Sequence, residues 1–202
     1  MTGVELNSVL KNYIFKIALS FYCVWCLGCG QGSQEIIKPK LVIAIDATFV
    51  PMSFLNDQGG LDGFEVDLIK AVAKKAGFDY ELVNVEWGGL FGGLITKKFD
   101  LVISSITILE ERKKRMAFSI PYLQSGVSVL VRKDIPNVNN LEQLAEKKAT
   151  VGAQINTTSY YFLQKYEGIN IKTYEKFGHA IIDLANNGND GVVGDSVQAN
   201  YY

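Results

Sequence analysis

From Leu41 onward the chain alternates apolar runs of strand length with segments whose apolar residues recur at helical spacing. This alternation restricts it to an α/β fold. Residues 41–45 form a continuous apolar run, the pattern of a strand covered on both faces. Residues 64–76 place Val66, Ile69, Val72, Ala73 and Ala76 at helical spacing, and Gly77 is a stop signal. Between the two, Gly59-Gly60 predicts a turn and a hairpin within 51–62. Further strands are predicted at 80–85 and 101–104, and helices at 90–96 and 110–116, before Pro121-Tyr122 breaks the pattern. A second block follows, with strands at 127–131, 150–153, 169–174 and 191–193. Its helices fall at 141–145, 157–166 and 179–187, and another starts at Asp195. The expectation is two blocks of parallel sheet, joined near 118–127.

The 202 residues are enough for one or two domains with real cores, and 48% hydrophobic content is ordinary for a globular protein. A net charge of −1 gives no electrostatic reason to expect nucleic acid as a partner. His179 is the single histidine, which argues against a histidine-dependent triad or a histidine-rich metal site. Gly88, Gly89, Gly92 and Gly93 fall within a helix rather than on a strand-to-helix turn, so they read as packing glycines and not as a dinucleotide fingerprint. No cofactor and no metal are expected.

The N-terminus has a different character. Lys11 and Lys16 precede an apolar stretch that ends in Cys26-Leu27-Gly28-Cys29, the layout of a secretory signal. Residues 1–28 read as a signal peptide and 29–39 as a tether. The alternative is an uncleaved anchor helix, for which the apolar run is short. Glu5 sits awkwardly in such a leader, and a start near Val9 would remove it. Cys23 and Cys26 lie inside the apolar stretch and have no second ligand pair, so they do not read as a zinc or redox pair.

Residues 104–112, Ser-Ser-Ile-Thr-Ile-Leu-Glu-Glu-Arg, follow an apolar strand directly. They place two serine hydroxyls, backbone amides and a guanidinium in one strand-to-helix turn, a donor set suited to a carboxylate. Arg112 lies in the charged run 110–115, which alone would read as a solvated helix face. Other polar and aromatic candidates also follow strands: Asp46 and Phe49 after the first, Trp87 after the next, Thr157 and Thr158 after 150–153, and Asp195 after 191–193. In open α/β sheets ligands bind beyond the carboxyl ends of strands, so two blocks facing each other would form a cleft. Taken singly, Asp195, Thr157 and Thr158 are also credible helix N-caps, and Phe49 and Trp87 credible core residues.

Gly63-Phe64-Glu65-Val66-Asp67-Leu68 together with Ser104-Ser105-Ile106-Thr107 and Arg112 closely resemble the periplasmic solute-binding proteins for polar amino acids, the ligand-capturing components of ABC importers. The resemblance runs from about Lys40 to Tyr202. It implies a two-lobe type II periplasmic-binding-protein-like fold, with one lobe at 40–120 and the other at 121–202. It implies a receptor rather than an enzyme. In it Arg112, assisted by the Thr107 amide, holds the ligand's α-carboxylate and Asp195 accepts from the α-ammonium. Gln154 to Thr158 resembles the second lobe's ligand loop, with Thr158 adding to carboxylate binding and Asn156 standing where glycine is usual. Phe49 and Trp87 would sandwich the ligand side chain, and Asp46, Ser104 and Ser105 would lie near its far end. An acidic Asp46 favours a basic or amide side chain. Cys26-Leu27-Gly28-Cys29 resembles a lipobox with Cys29 lipidated, which implies a chain anchored by lipid to a membrane, in the periplasm or at the cell surface, with an ABC permease as partner. The resembling proteins continue past the equivalent of Tyr202, so the second lobe and the return to the first are expected to be incomplete. A sensory module of the same fold, a dehydratase-like enzyme and a non-functional remnant are the alternatives.

Overall fold

The computed structural model describes residues 40–202; the expectations for the leader, the tether, Cys23, Cys26 and Cys29 fall outside the described residues. The first strand is β1 (Lys40–Ile45), followed by an antiparallel meander of β2 (Thr48–Phe49), β3 (Ser53–Leu55) and β4 (Leu61–Asp62). Helix α1 spans Phe64–Ala76, as its spacing predicts, and Gly77 closes it at φ 76, in the left-handed region that glycine enters without a Cβ penalty. Then come β5 (Asp79–Asn84), α2 (Trp87–Ile95), β6 (Leu101–Val102) and the single turn α3 (Glu110–Lys113). Helix α2 begins three residues before the expected start. Glycines at positions 88 and 89 carry little helical signal, so the sequence conceals the first turn. Strand β6 is shorter than expected, and Ser104 lies beyond its end. Helix α3 stops at Lys113 rather than 116.

The first sheet has the order β5-β1-β6 and is wholly parallel, with Lys40 opposite Asp79 and Ile45 opposite Asn84. Both faces of β1 are covered, which explains its unbroken apolar run. Ile43 and Ile45 pack with Ile69 of α1 and Ile103, whereas Ala44 packs on the opposite face with Leu90 of α2 and Phe99. Each such aliphatic side chain contributes about 1.5–3 kcal/mol on burial. Gly93 is a packing glycine, as expected: a Cβ there would lie 2.1 Å from the Phe99 ring.

Residues 114–126 carry no helix or strand and lead to the second sheet. It comprises β7 (Val127–Val131), β8 (Thr150–Gln154), β9 (Asn170–Tyr174) and β10 (Gly191–Asp195), in the order β7-β10-β8-β9. The expectation of an all-parallel sheet is corrected here: β7 runs antiparallel to β10. Apolar periodicity reports which faces are buried and carries no information about strand direction. Helices α4 (Leu141–Glu146), α5 (Thr158–Leu163), α6 (Phe177–Ala185) and α7 (Ser196–Tyr201) complete the described chain. Helix α5 is shorter at both ends than its pattern, and α6 starts two residues earlier. Leu144, Val151, Leu163 and Val193 fill one side of this sheet, and Phe177, Ala180 and Val192 the other. The fold is therefore mixed α/β with two lobes, each built on its own sheet. Among the described residues no helix is long and apolar enough to cross a membrane.

Candidate functional site

The carboxyl ends of β1, β6, β8 and β10 meet around one cleft between the sheets. Asp46, Phe49, Trp87, Ser104, Ser105 and Thr107 line it from the first lobe, and Gln154, Thr158 and Asp195 from the second. Nine of the ten expected site residues thus share one cavity. Arg112, the tenth, stands beside it, donating from Nη1 to the Thr107 carbonyl at 3.0 Å.

The lobes touch across the cleft at several points. Thr158 Oγ1 donates to Thr107 Oγ1 at 3.0 Å, and Arg112 Nη2 reaches the Asn156 carbonyl at 3.5 Å. Gln198 Nε2 donates to the Thr48 carbonyl at 3.3 Å, and Lys176 pairs with Glu86 at 2.8 Å. The structure is a closed one. Gln198 and Lys176 escaped the sequence reading because nothing in their local pattern announces a partner more than 80 residues away.

Arg112 is half-buried, and among the described residues it forms no ion pair. Its guanidinium lies 4.9 Å from the Phe91 ring centroid and 5.8 Å from that of Trp87, within cation–π range. The cation stacked on Trp87 is therefore the protein's own. Burial pulls the Arg112 pKa below its ordinary value, the Tyr161 hydroxyl opposing this. Even so, an arginine stays charged in a protein. A half-buried cation whose protein contacts are two carbonyls and two aromatic faces can accept an anion. The Thr107 N–H takes no protein acceptor among the described residues.

Asp195 is both a cap and a cleft residue. Its Oδ1 accepts from the Val197 N–H at 2.9 Å, closing the first turn of α7, and from Ser125 Oγ at 2.6 Å. Thr157 caps α5, its Oγ1 accepting from the Tyr160 N–H at 3.2 Å, and lines the cleft together with Thr158. Asn156 has φ 62, so the left-handed turn normally given to glycine is kept by the residue best able to replace it.

Both serines line the cleft, with polar atoms already engaged within the protein. Ser104 is 3% exposed and its Oγ accepts from the Asp46 N–H at 3.2 Å. Ser105 spends both its donors on a protein carboxylate: its N–H and Oγ reach Glu65 Oε1 at 2.5 and 2.9 Å. The Ser105 part of the donor set anticipated here is thus taken by Glu65. Ser105 sits at φ 47, a left-handed conformation that costs roughly 1–3 kcal/mol in a residue other than glycine. Glu65 was missed although a signal existed: it falls on the buried stripe of α1 with Ile69 and Ala73, where a charge calls for a partner.

Asp46 is 4% exposed, and its Oδ1 accepts from the Thr48 N–H at 3.0 Å and the Thr48 hydroxyl at 2.7 Å. Burial pushes its carboxyl above the ordinary 3.8, opposed by the bonds from Thr48 and the Trp87 amide and by Lys176. A raised folded-state pKa means that the folded chain holds this proton longer. The contribution to stability is then full below about 3.8 and falls as pH rises through the folded value. Asp46→Asn keeps an oxygen for Thr48 and removes the titration. Melting midpoints from pH 4 to 7 are expected to fall less steeply with pH in the variant than in the parent; parallel curves would refute this account of Asp46.

His179 is exposed on α6. Among the described residues no cluster of three or more His, Cys, Asp or Glu side chains is placed to hold a metal ion.

Cleft, strand-end loops and sheet order define a class of ligand-binding protein. The chain belongs to the bacterial extracellular solute-binding proteins, family 3, which it matches over residues 41–192. It is 34% identical to the L-cystine-binding protein TcyJ of Escherichia coli (strain K12) over 72% of its own length, and spans about half (55%) of that relative. It is 36% identical to the probable histidine-binding protein of Neisseria gonorrhoeae, covering 95% of this chain and 74% of the relative. Among solved structures, the arginine-, lysine-, histidine-binding protein ArtJ of Geobacillus stearothermophilus superimposes with a TM-score of 0.76 at 40% identity, over 81% of this chain and 70% of ArtJ.

Proposed function

We propose that this chain is an extracytoplasmic receptor that closes two lobes on a polar or basic amino acid and delivers it to an ABC permease. The observation that carries this reading is the half-buried guanidinium of Arg112, without an ion pair among the described residues, beside a cleft that Asp195 lines from the other lobe. A cation and an anion on opposite lobes suit the two ends of a zwitterion, and contacts from both lobes at once favour the closed state. The receptors named among the relatives bind cystine, histidine, arginine and lysine, which supports an amino-acid ligand. Asp46 adds a second acid to the cleft, so the charges of Asp46, Asp195 and Arg112 leave an excess of one negative charge. A ligand with a basic side chain would neutralise that excess, and one with an amide side chain would meet the same acceptors. In this reading Phe49 and Trp87 flank the ligand side chain, and Thr107, Thr158, Gln154, Ser104 and Ser105 complete the wall. The lobes divide at 40–120 and 121–202, residues 1–28 are a signal peptide and Cys29 carries the lipid that holds the receptor at the membrane. We read the chain as a receptor and not an enzyme, because pairing Arg112 with Asp195 serves to hold both ends of an amino acid.

The test is a thermal melt of the chain against a panel of the common amino acids. A ligand at a hundred times its Kd adds about 2.7 kcal/mol of stability, an upward shift of several degrees. A shift with basic or amide-bearing amino acids is the expected result. No shift across the panel, or turnover of a cyclic acid such as prephenate in its place, would refute the receptor reading.

A further inference from the structure

Behind the wall of the cleft lies a carboxylate that does not itself line it. Glu65 is fully buried on α1, and its Oε1 accepts three hydrogen bonds, from the Ser105 N–H, the Ser105 hydroxyl and the Tyr122 hydroxyl at 2.5 Å. The Ser105 N–H also lies 3.2 Å from the Tyr122 oxygen. Each of the three residues comes from a different part of the fold. Glu65 opens α1, Ser105 forms the left-handed turn after β6, and Tyr122 belongs to the stretch 114–126 that joins the two sheets. Burial and the adjacent Glu65 charge both push the Tyr122 hydroxyl well above its ordinary pKa, so it remains a donor.

The cluster is a poor way to gain stability. Glu65 Oε2 is buried and takes no hydrogen bond among the described residues. A buried carboxylate satisfied at only one oxygen is commonly less favourable than an apolar side chain of similar volume. The turn it holds is itself strained, and such strain persists only where the surroundings over-determine it. Three bonds converging on one oxygen supply that constraint at Ser105, a residue that lines the cleft.

We propose that Glu65 is a positioning residue for ligand capture: it holds the Ser104-Ser105 turn in its ligand-ready shape and, through Tyr122, ties that turn to the segment joining the lobes. This rests on the receptor reading given above. A positioning role and a purely structural role differ in one respect. If Glu65 were retained for stability, its loss would lower ligand-free stability and affinity together. A positioning residue separates them: affinity falls in a variant, such as Glu65→Gln, whose ligand-free melt stays close to the parent's.

The experiment compares the full chain with Glu65→Gln, Glu65→Met, Tyr122→Phe and the Glu65→Gln/Tyr122→Phe double variant. Each is titrated calorimetrically with L-arginine, L-lysine, L-histidine and L-glutamine, and melted without ligand. The expected result is a Kd for the amino acid that the parent binds raised roughly 10-fold or more, with the ligand-free midpoint close to the parent's in Glu65→Gln and lower in Glu65→Met, which leaves the Ser105 and Tyr122 donors unpaired. Glu65→Gln, which keeps an acceptor oxygen for Ser105, should lose less affinity than Glu65→Met. The double variant should lose less than the product of the two single losses, because both act on one oxygen. Unchanged affinity in Glu65→Met overturns the proposal. If that variant fails to fold, Tyr122→Phe decides, because it removes a single hydroxyl; unchanged affinity there overturns the proposal equally. A parent that binds none of the common amino acids overturns the receptor reading and this inference with it, and that failure shows in the parent alone.

Discussion

Replacing Arg112 with alanine is expected to weaken amino-acid binding by between roughly 30-fold and a few thousand-fold while leaving the ligand-free fold intact. The range follows from truncating a charge-assisted contact in a desolvated site, which costs on the order of 2–5 kcal/mol, at about 1.4 kcal/mol per factor of ten. The fold should tolerate the change because the guanidinium has no ion pair to lose among the described residues. Its protein contacts are two carbonyls and two aromatic faces, and burial already disfavours its charge. Arg112→Lys should recover only part of the loss, since an ammonium cannot reproduce the bidentate fork. Calorimetric titration with the amino acid that shifts the melt, alongside melts of the free variants, measures both quantities. A Kd within about threefold of the parent would remove Arg112 from the site. A large drop in ligand-free stability would show that the guanidinium serves the interface between the lobes instead.

The features legible in the sequence were those written in local pattern. Helix α1 was readable to the residue, because its apolar spacing ends at a glycine that takes the left-handed conformation. The cleft residues were readable because each follows a strand, and strand ends converge in this class of sheet. Features that depend on distant pairing were not legible. The reversed direction of β7 leaves no trace in its apolar run, since Val127–Val131 would look the same in either orientation. Ser105 carries the donors expected of a carboxylate site, and it does bind a carboxylate, but one supplied by Glu65 forty positions earlier. The start of α2 was hidden by its glycines. Gly93 shows why glycine is needed there: helix and Phe99 approach too closely for a side chain. Local propensity disfavours what tertiary packing demands.

Asp195→Asn is the second substitution expected to have a large effect, and it separates two roles that the structure superimposes on one side chain. Both hydrogen bonds that Asp195 accepts fall on Oδ1, from the Val197 N–H and from Ser125 Oγ. An asparagine retains an oxygen in that place and caps helices about as well as aspartate. Ligand-free stability should therefore change by less than about 1 kcal/mol, the scale of a lost cap. Binding should respond differently, because a neutral amide offers the α-ammonium no charge and can present an N–H in its place. A loss on the order of 2–5 kcal/mol, as for Arg112, is the expected result. Asp195→Ala completes the comparison: it removes cap and charge together and should match asparagine in affinity while falling below it in stability. The order of effects carries the argument. If asparagine binds as tightly as the parent and only alanine weakens the chain, Asp195 is the N-cap of α7 and nothing more, and the ammonium must find its acceptor elsewhere in the cleft. If asparagine abolishes binding on an unchanged melt, the charge itself is what the ligand requires.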